Sequence, residues 1–258
     1  MAHAATMNEV ERYENQLTPG WGKLMMWVFL CSDAMSFAGL LAAYGAVRLG
    51  SSNWPVPSER LDVPLTALNT FILICSSVTM VKALSAIRHG SRRGLLGWLA
   101  GTMIGGASFL GIQAYEWTHL IHEGMTIQGN PWGVSTLFGA TFFILTGFHG
   151  CHVFGGVTYL SAVLGRSVRG VAGAVVTAAV AVACTLGLIV VTSATLSGLV
   201  AVIAAAAGAG VVFLTANLLA GGTPVYGAHN NNEVEIAALY WHFVDLIWIL
   251  VFTFVYLI

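Results

Sequence analysis

The sequence predicts an all-α fold, a polytopic membrane helical bundle, and three observations carry that prediction. Of 258 residues, 57% are hydrophobic and only 8% are charged, with a mean hydropathy of +0.81, a composition outside the range of soluble domains. Apolar runs of the roughly 20 residues needed to cross about 30 Å of hydrocarbon recur along the chain. Several of the few ionisable residues inside those runs stand three apart, as His149 and His152 or His242 and Asp245 do, the spacing that places them on one helix face. A net charge of −1 with scattered Lys and Arg offers no basic surface for nucleic acid.

The chain reads as a single membrane domain over 1–258. Residues 1–21 form a polar cytoplasmic N-terminal segment, and the run after them reads as a retained membrane helix, because it carries Asp33 and is too long for the core of a cleaved signal. Seven transmembrane helices are predicted, at 22–48, 64–88, 95–122, 133–164, 171–191, 194–220 and 233–258. Turn-forming residues punctuate them: Ser51, Ser52, Asn53 and Pro55 after the first, Gly129 and Pro131 before the fourth, Gly221 to Pro224 after the sixth. Between the fifth and sixth, Val191, Thr192 and Ser193 make a thin boundary, but one continuous helix there would be far too long.

Short-loop cations orient the bundle. Alternating spans collect Arg12, Lys23, Lys82, Arg88, Arg92, Arg93, Arg166 and Arg169 on one side and only Arg48 and Arg60 on the other. This predicts a cytoplasmic N-terminus and an outside C-terminus. The last helix is expected to open with Asn232 as N-cap and Glu235 three residues on, a capping box.

Ionisable residues inside an apolar span are expected to face protein and a partner. Asp33 lies about eleven residues into the first span, near mid-membrane at about 1.5 Å per residue. It reads either as a structural carboxyl or as a proton-exchanging group. In the last helix His242 and Asp245 share a face, with Tyr240, Trp241 and Trp248 nearby. In the fourth, His149 and His152 stand among Gly147, Gly150, Gly155 and Gly156. Neighbours on one helix cannot supply both axial positions of a haem, so close packing and imidazole hydrogen bonds across the contact are the stronger reading. Glu116, His119, His122 and Glu123 end the third span; a zinc or copper site there is the weaker reading, and Glu116 is expected to accept interhelical hydrogen bonds. Cys31, Cys75, Cys151 and Cys184 show no paired spacing and read as small buried hydrophobes, so no metal site is assigned.

These blocks together resemble subunit III of the haem-copper respiratory oxidases. The resemblance rests on Gly147-Phe148-His149-Gly150 with His152, on Glu235 seven residues ahead of His242 in Tyr240 to Asp245, on Gln113, Glu116 and Trp117, and on Asp33 after Ser32. It covers about 21–166 and 232–258. Many cytochrome c oxidases of the family resemble one another in carrying Glu where this chain has Asp33; the short quinol-oxidase-type and some bacterial forms carry Asp. Short members are similar in having five helices, so residues 171–222 read as an inserted two-helix hairpin without Asp, Glu, Lys, Arg or His. That hairpin is expected on the flank that two N-terminal helices occupy in long members.

The resemblance implies a non-catalytic subunit III of an aa3/caa3-type cytochrome c oxidase in aerobic respiratory electron transport. Such a chain packs on subunits I and II, stabilises subunit I, binds lipid and supports proton uptake. Haem and copper would sit in the partner subunits, with no cofactor here beyond bound phospholipid. The chain is then part of an oxidoreductase, though itself without redox centres. Only His149, His152 and His242 fall well inside the membrane, too few for a haem-copper catalytic subunit. Asp33, Glu116, His149, His152, Glu235, His242 and Asp245 form the expected polar set; Trp27, Trp98 and Trp248 are lipid or interface candidates. The resemblance also implies a bacterial inner membrane and a place in a respiratory supercomplex. A quinol oxidase subunit III is the alternative, and an independent proton-coupled transporter using Asp33 and Asp245 is an alternative of another class.

Overall fold

The computed structural model describes residues 20–129, 131–132, 135–167, 226–228 and 231–258. Five long helices lie among them: α1 Trp21–Gly50, α2 Val63–Arg88, α3 Arg92–His122, α4 Leu137–Ser167 and α5 Asn232–Phe252, the last extended by a π-helical turn, Thr253–Leu257. All five are long and apolar enough to cross a membrane. The predicted spans 171–191 and 194–220, the hairpin 171–222 that holds them and nearly all of the polar segment 1–21 lie outside the described residues.

Helix ends follow local chemistry. Asp62 caps α2, its Oδ1 accepting from the Leu65 amide at 3.1 Å. Ser91 caps α3, accepting from the Gly94 amide at 3.2 Å. Gly90 and Gly124 close α2 and α3 with φ of 76° and 93°. There the Ser91 and Met125 amides, each at 2.9 Å, donate back to the carbonyls of Ala86 and Leu120. The fourth span begins later than expected, at Leu137. Just before it, the Ser135 amide donates to Asn53 O at 2.9 Å.

The capping box expected at α5 does not form. The N-cap is Asn231, which makes no side-chain cap bond and instead donates to Ala228 O at 2.8 Å. Glu235 turns away to meet Lys23 of α1 at 2.8 Å and Arg88 of α2 at 3.3 Å. Two charge-assisted contacts outcompete one amide.

Helices α2 and α3 pair as a hairpin, α4 packs on α3, and α5 fits against α2 and α4, with α1 laid on α4 and α5. Helix α1 buries only Leu30, Asp33, Phe37 and Tyr44, a narrow seam along one face. The centre is aromatic: Phe109, Phe138, Phe142, Trp241, Trp248 and Tyr256 are fully enclosed. Trp241 occupies a slot between α3 and α4 that exists because Gly106 and Gly156 have no side chain. A Cβ would stand 2.4 Å from the Trp241 ring at Gly106 and 2.9 Å at Gly156. Its indole N–H donates to Ser76 Oγ of α2 at 3.0 Å, and that of Trp248 to Thr70 Oγ1 at 2.9 Å, tying α5 to α2.

Candidate functional site

Asp33 of α1 and His152 of α4 meet inside the bundle, Oδ1 to Nε2 at 3.1 Å. Asp33 is therefore a paired carboxyl, with Oδ1 engaged and Oδ2 enclosed without a partner. The other imidazole nitrogen, Nδ1, lies 2.7 Å from Phe148 O. A carbonyl only accepts, so Nδ1 carries a hydrogen and donates it. The bond to Asp33 then holds one further proton. Either the carboxyl O–H donates to a bare Nε2, or an imidazolium Nε2–H donates to the carboxylate. Both states are neutral overall, and removing that proton would leave two acceptors face to face. Phe37 and Phe148 pack on the ring at centroid distances of 5.1 and 4.7 Å, and Tyr240 of α5 donates to His152 O at 3.0 Å. The arrangement is a buried carboxyl–imidazole pair between α1 and α4 in an aromatic enclosure.

Nearer the opposite end from Lys23, Glu116 gathers three helices. Its Oε1 lies 3.1 Å from Thr66 Oγ1 of α2, and its Oε2 accepts from Gln113 Nε2 at 3.1 Å and Tyr256 O–H at 2.9 Å. Glu116 is buried, yet it also lines a polar cavity of about 240 Å³ with Glu59, Arg60, Asp62, His119 and Glu123. Tyr256 and Thr66 were not singled out from the sequence. The available signal was spacing: Trp241, Trp248 and Tyr256 fall about two helical turns apart, on one face.

The remaining candidates scatter. His149 is fully buried, its Nε2–H donating to Val244 O at 3.1 Å, with Trp248 and Phe109 packed on its ring. His149 and His152 thus each spend a nitrogen on a backbone carbonyl, and His152 spends its second on Asp33, which does not fit haem ligation. Asp245 is buried beside Ser77 of α2, with half-buried His242 one turn earlier. Glu235 sits at the end of the bundle in its ion pairs. Of the lipid candidates, Trp27 and Trp98 are exposed, Trp98 with the Lys82 ammonium 4.5 Å over its ring. Trp248 is instead enclosed in the core, because its N–H finds Thr70 and its ring finds His149. His119 lies 3.6 Å from Glu123. Among the described residues no three His, Cys, Asp or Glu side chains converge as a metal site requires.

Outside the spans, Tyr226 donates to Glu233, which also accepts from Arg166 Nη1 at 2.7 Å. Burial first, and then that hydrogen bond, push the Tyr226 phenol well above its ordinary range.

Fold and site together define a multi-pass membrane protein whose buried ionisable groups serve contacts between helices. Comparison with known proteins narrows the class. The family model described as cytochrome c oxidase subunit III matches residues 11–171. A cytochrome c oxidase subunit 3 of Corynebacterium diphtheriae is 42% identical over 142 residues, 54% of this chain and 66% of that protein's length. One from Bacillus subtilis is 28% identical over 91% of this chain and 84% of its own. The quinol oxidase subunit 3 of Bacillus subtilis is 26% identical over 100% of this chain and 97% of its own. The chain belongs to the cytochrome c oxidase subunit III family. It is a subunit III of a haem-copper oxidase, and that membership implies association with other oxidase subunits.

Proposed function

We propose that this chain is the non-catalytic subunit III of an aa3/caa3-type cytochrome c oxidase, stabilising subunit I and supporting its proton uptake. The observation that carries this reading is the Asp33–His152 pair, a carboxyl and an imidazole in contact between two membrane helices, in a chain whose His149 and His152 are spent on contacts within the bundle. A group of this kind sustains proton delivery in a neighbouring subunit without redox chemistry of its own. Bound phospholipid along exposed Trp27 and Trp98 completes the role. A bacterial inner membrane with the N-terminus inside fits the gathering of Lys23, Arg88, Arg92 and Arg166 at one end of the bundle, where Glu233 and Glu235 also lie.

The test is oxygen consumption by the native complex, with and without this subunit and with Asp33→Ala, over many turnovers at several pH values. Activity that decays or falls at high pH while the haem spectra stay intact supports the reading. Unchanged activity and lifetime would overturn the proton role.

The full-length match to a quinol oxidase subunit 3 favours a second reading, in which the parent complex takes electrons from quinol. Assaying the purified complex with reduced cytochrome c and with quinol separates the two.

A further inference from the structure

Glu116 of α3 is supplied with hydrogen bonds in a way that suits either of its protonation states. Its Oε2 accepts from Gln113 Nε2 at 3.1 Å and from the Tyr256 hydroxyl at 2.9 Å. Two lone pairs meet two donors there, whether Oε2 belongs to a carboxylate or is the carbonyl oxygen of a carboxylic acid. The difference between the two states therefore falls on Oε1, whose partner is Thr66 Oγ1 of α2 at 3.1 Å.

Thr66 stands between two oxygens. Its Oγ1 also lies 3.0 Å from the carbonyl of Asp62, one helical turn back. A hydroxyl has one hydrogen to give and lone pairs with which to accept. With its hydrogen turned to Oε1, Thr66 donates to a carboxylate. With that hydrogen turned to Asp62 O, which only accepts, Thr66 offers Oε1 a lone pair, and the contact then calls for a hydrogen on Oε1. Asp62 O already accepts the Thr66 amide at 3.0 Å, so it keeps a partner when the hydroxyl turns away. The choice rests on the rotation of one hydrogen, with every heavy atom in place.

Glu116 is also within reach of water. Although only 5% exposed, it forms part of the wall of the polar cavity of about 240 Å³ at the end of the bundle away from Lys23. The short helix Pro57–Arg60 and the N-cap of α2 bring Glu59, Arg60 and Asp62 to that cavity, and α3 adds Tyr115, His119 and Glu123. His119 lies 3.6 Å from Glu123. On the bundle side the Tyr256 ring packs on Phe142 of α4, centroids 5.7 Å apart. Three carboxyl side chains against one guanidinium give the cavity a field that gathers cations, protons included.

We propose that Glu116 is a proton-exchange site open to the aqueous phase at this end of the bundle, with the Thr66 hydroxyl as its reversible partner. On uptake, a proton from cavity water binds Oε1, the new O–H donates to Thr66 Oγ1, and the Thr66 hydrogen turns to Asp62 O. On release, the proton returns to water and the Thr66 hydrogen turns back to Oε1. The carboxyl passes between neutral and singly negative, no bond between heavy atoms forms or breaks, and Glu116 keeps its contacts to Thr66, Gln113 and Tyr256 in both states. The site is separate from the Asp33–His152 pair and does not depend on which electron donor the parent complex uses.

Infrared spectra of the intact complex in its native membrane, taken as the difference between wild type and Glu116→Gln, isolate this carboxyl. The expected result is a carboxylic C=O band at acid pH that gives way to carboxylate bands as the pH rises, and that shifts promptly in deuterium oxide because the cavity brings solvent to Oε1. Thr66→Val keeps the shape but leaves the Oε1 hydrogen without an acceptor, so it should move the band, whereas Thr66→Ser should leave it in place. Filling the cavity with Leu65→Trp should slow the deuterium shift. Haem spectra of each purified complex report assembly; should Glu116→Gln fail to assemble, the difference between wild type and Thr66→Val carries the same band. A band that ignores pH, or one that deuterium oxide leaves unshifted, overturns the exchange site. A Thr66→Val band coincident with the wild type overturns the part given to Thr66, and an unslowed shift in Leu65→Trp overturns the route through the cavity.

Discussion

Asp33 Oδ1 and His152 Nε2 lie 3.1 Å apart although their residues are 119 positions apart in the chain. The contact is bounded by the Nδ1–H of His152, which is already committed to Phe148 O. It therefore leaves Nε2 as the one ring nitrogen free to meet Asp33, whose Oδ2 stays enclosed without a partner.

Replacing Asp33 by Asn should keep the helices together, because the amide N–H donates to Nε2 in place of the shared proton, while abolishing proton exchange at the site. Asp33→Leu should leave Nε2 buried and unpaired, at a cost of about 1–3 kcal/mol. Thermal unfolding of both variants checks this: a Leu variant as stable as the Asn variant would mean that the pair contributes nothing to packing.

The Trp241 slot gives a steric prediction. Gly106→Ala and Gly156→Ala each put a Cβ within 3 Å of the indole, and overpacking of this kind costs about 1–3 kcal/mol. At Gly97 and Gly111 nothing lies within 4 Å of the added atom. Alanine there should be neutral or stabilising, since Gly inside a helix is about 0.5–1 kcal/mol worse than Ala. Melting temperatures of the four variants in one detergent give the comparison.

Around Glu116, Tyr256→Phe removes a buried donor at constant shape, with an expected loss of about 1–2 kcal/mol. Infrared difference spectra should show the Glu116 carboxyl band moving in Tyr256→Phe and vanishing in Glu116→Gln. A band unmoved by Tyr256→Phe would show that the phenol does not serve Glu116.

Glu235→Gln severs contacts to Lys23 and Arg88 that are part-exposed. Pairs of this kind are worth about 0–1 kcal/mol and are screened by salt. The difference from wild type should be small at low ionic strength and disappear in concentrated salt, as measured by unfolding at two salt concentrations.

Orientation is open to labelling. In a background without native cysteines, Ser58→Cys, in the short helix Pro57–Arg60, and His89→Cys, in the turn after α2, place exposed thiols at opposite ends of the bundle. An impermeant maleimide added to intact cells should label Ser58→Cys and spare His89→Cys; the reverse pattern would invert the topology.

Much of the site was legible in the sequence as a set of residues and little of it as a set of contacts. Each of Asp33, Glu116, His149, His152 and Asp245 stood out because an ionisable group within a span demands a reason. Trp248 misled for the opposite cause. Tryptophan is amphipathic enough for an interface or a core, and only its bond to Thr70 shows which. Glu235 misled too, since the spacing of a capping box is local and the cations that take the carboxylate arrive from α1 and α2.

What the sequence by itself determined is the class of the molecule and, among the described residues, the approximate position of five membrane helices. Crossing hydrocarbon requires about 20 apolar residues with every backbone group bonded within the segment, a condition each stretch meets or fails alone. Which carboxyl meets which imidazole, which glycine makes room for which indole, and which face of α5 is left open were decided only in the tertiary structure. Those outcomes depend on how helices from distant parts of the chain rotate and settle against one another, and interior packing, unlike hydropathy, cannot be read one segment at a time.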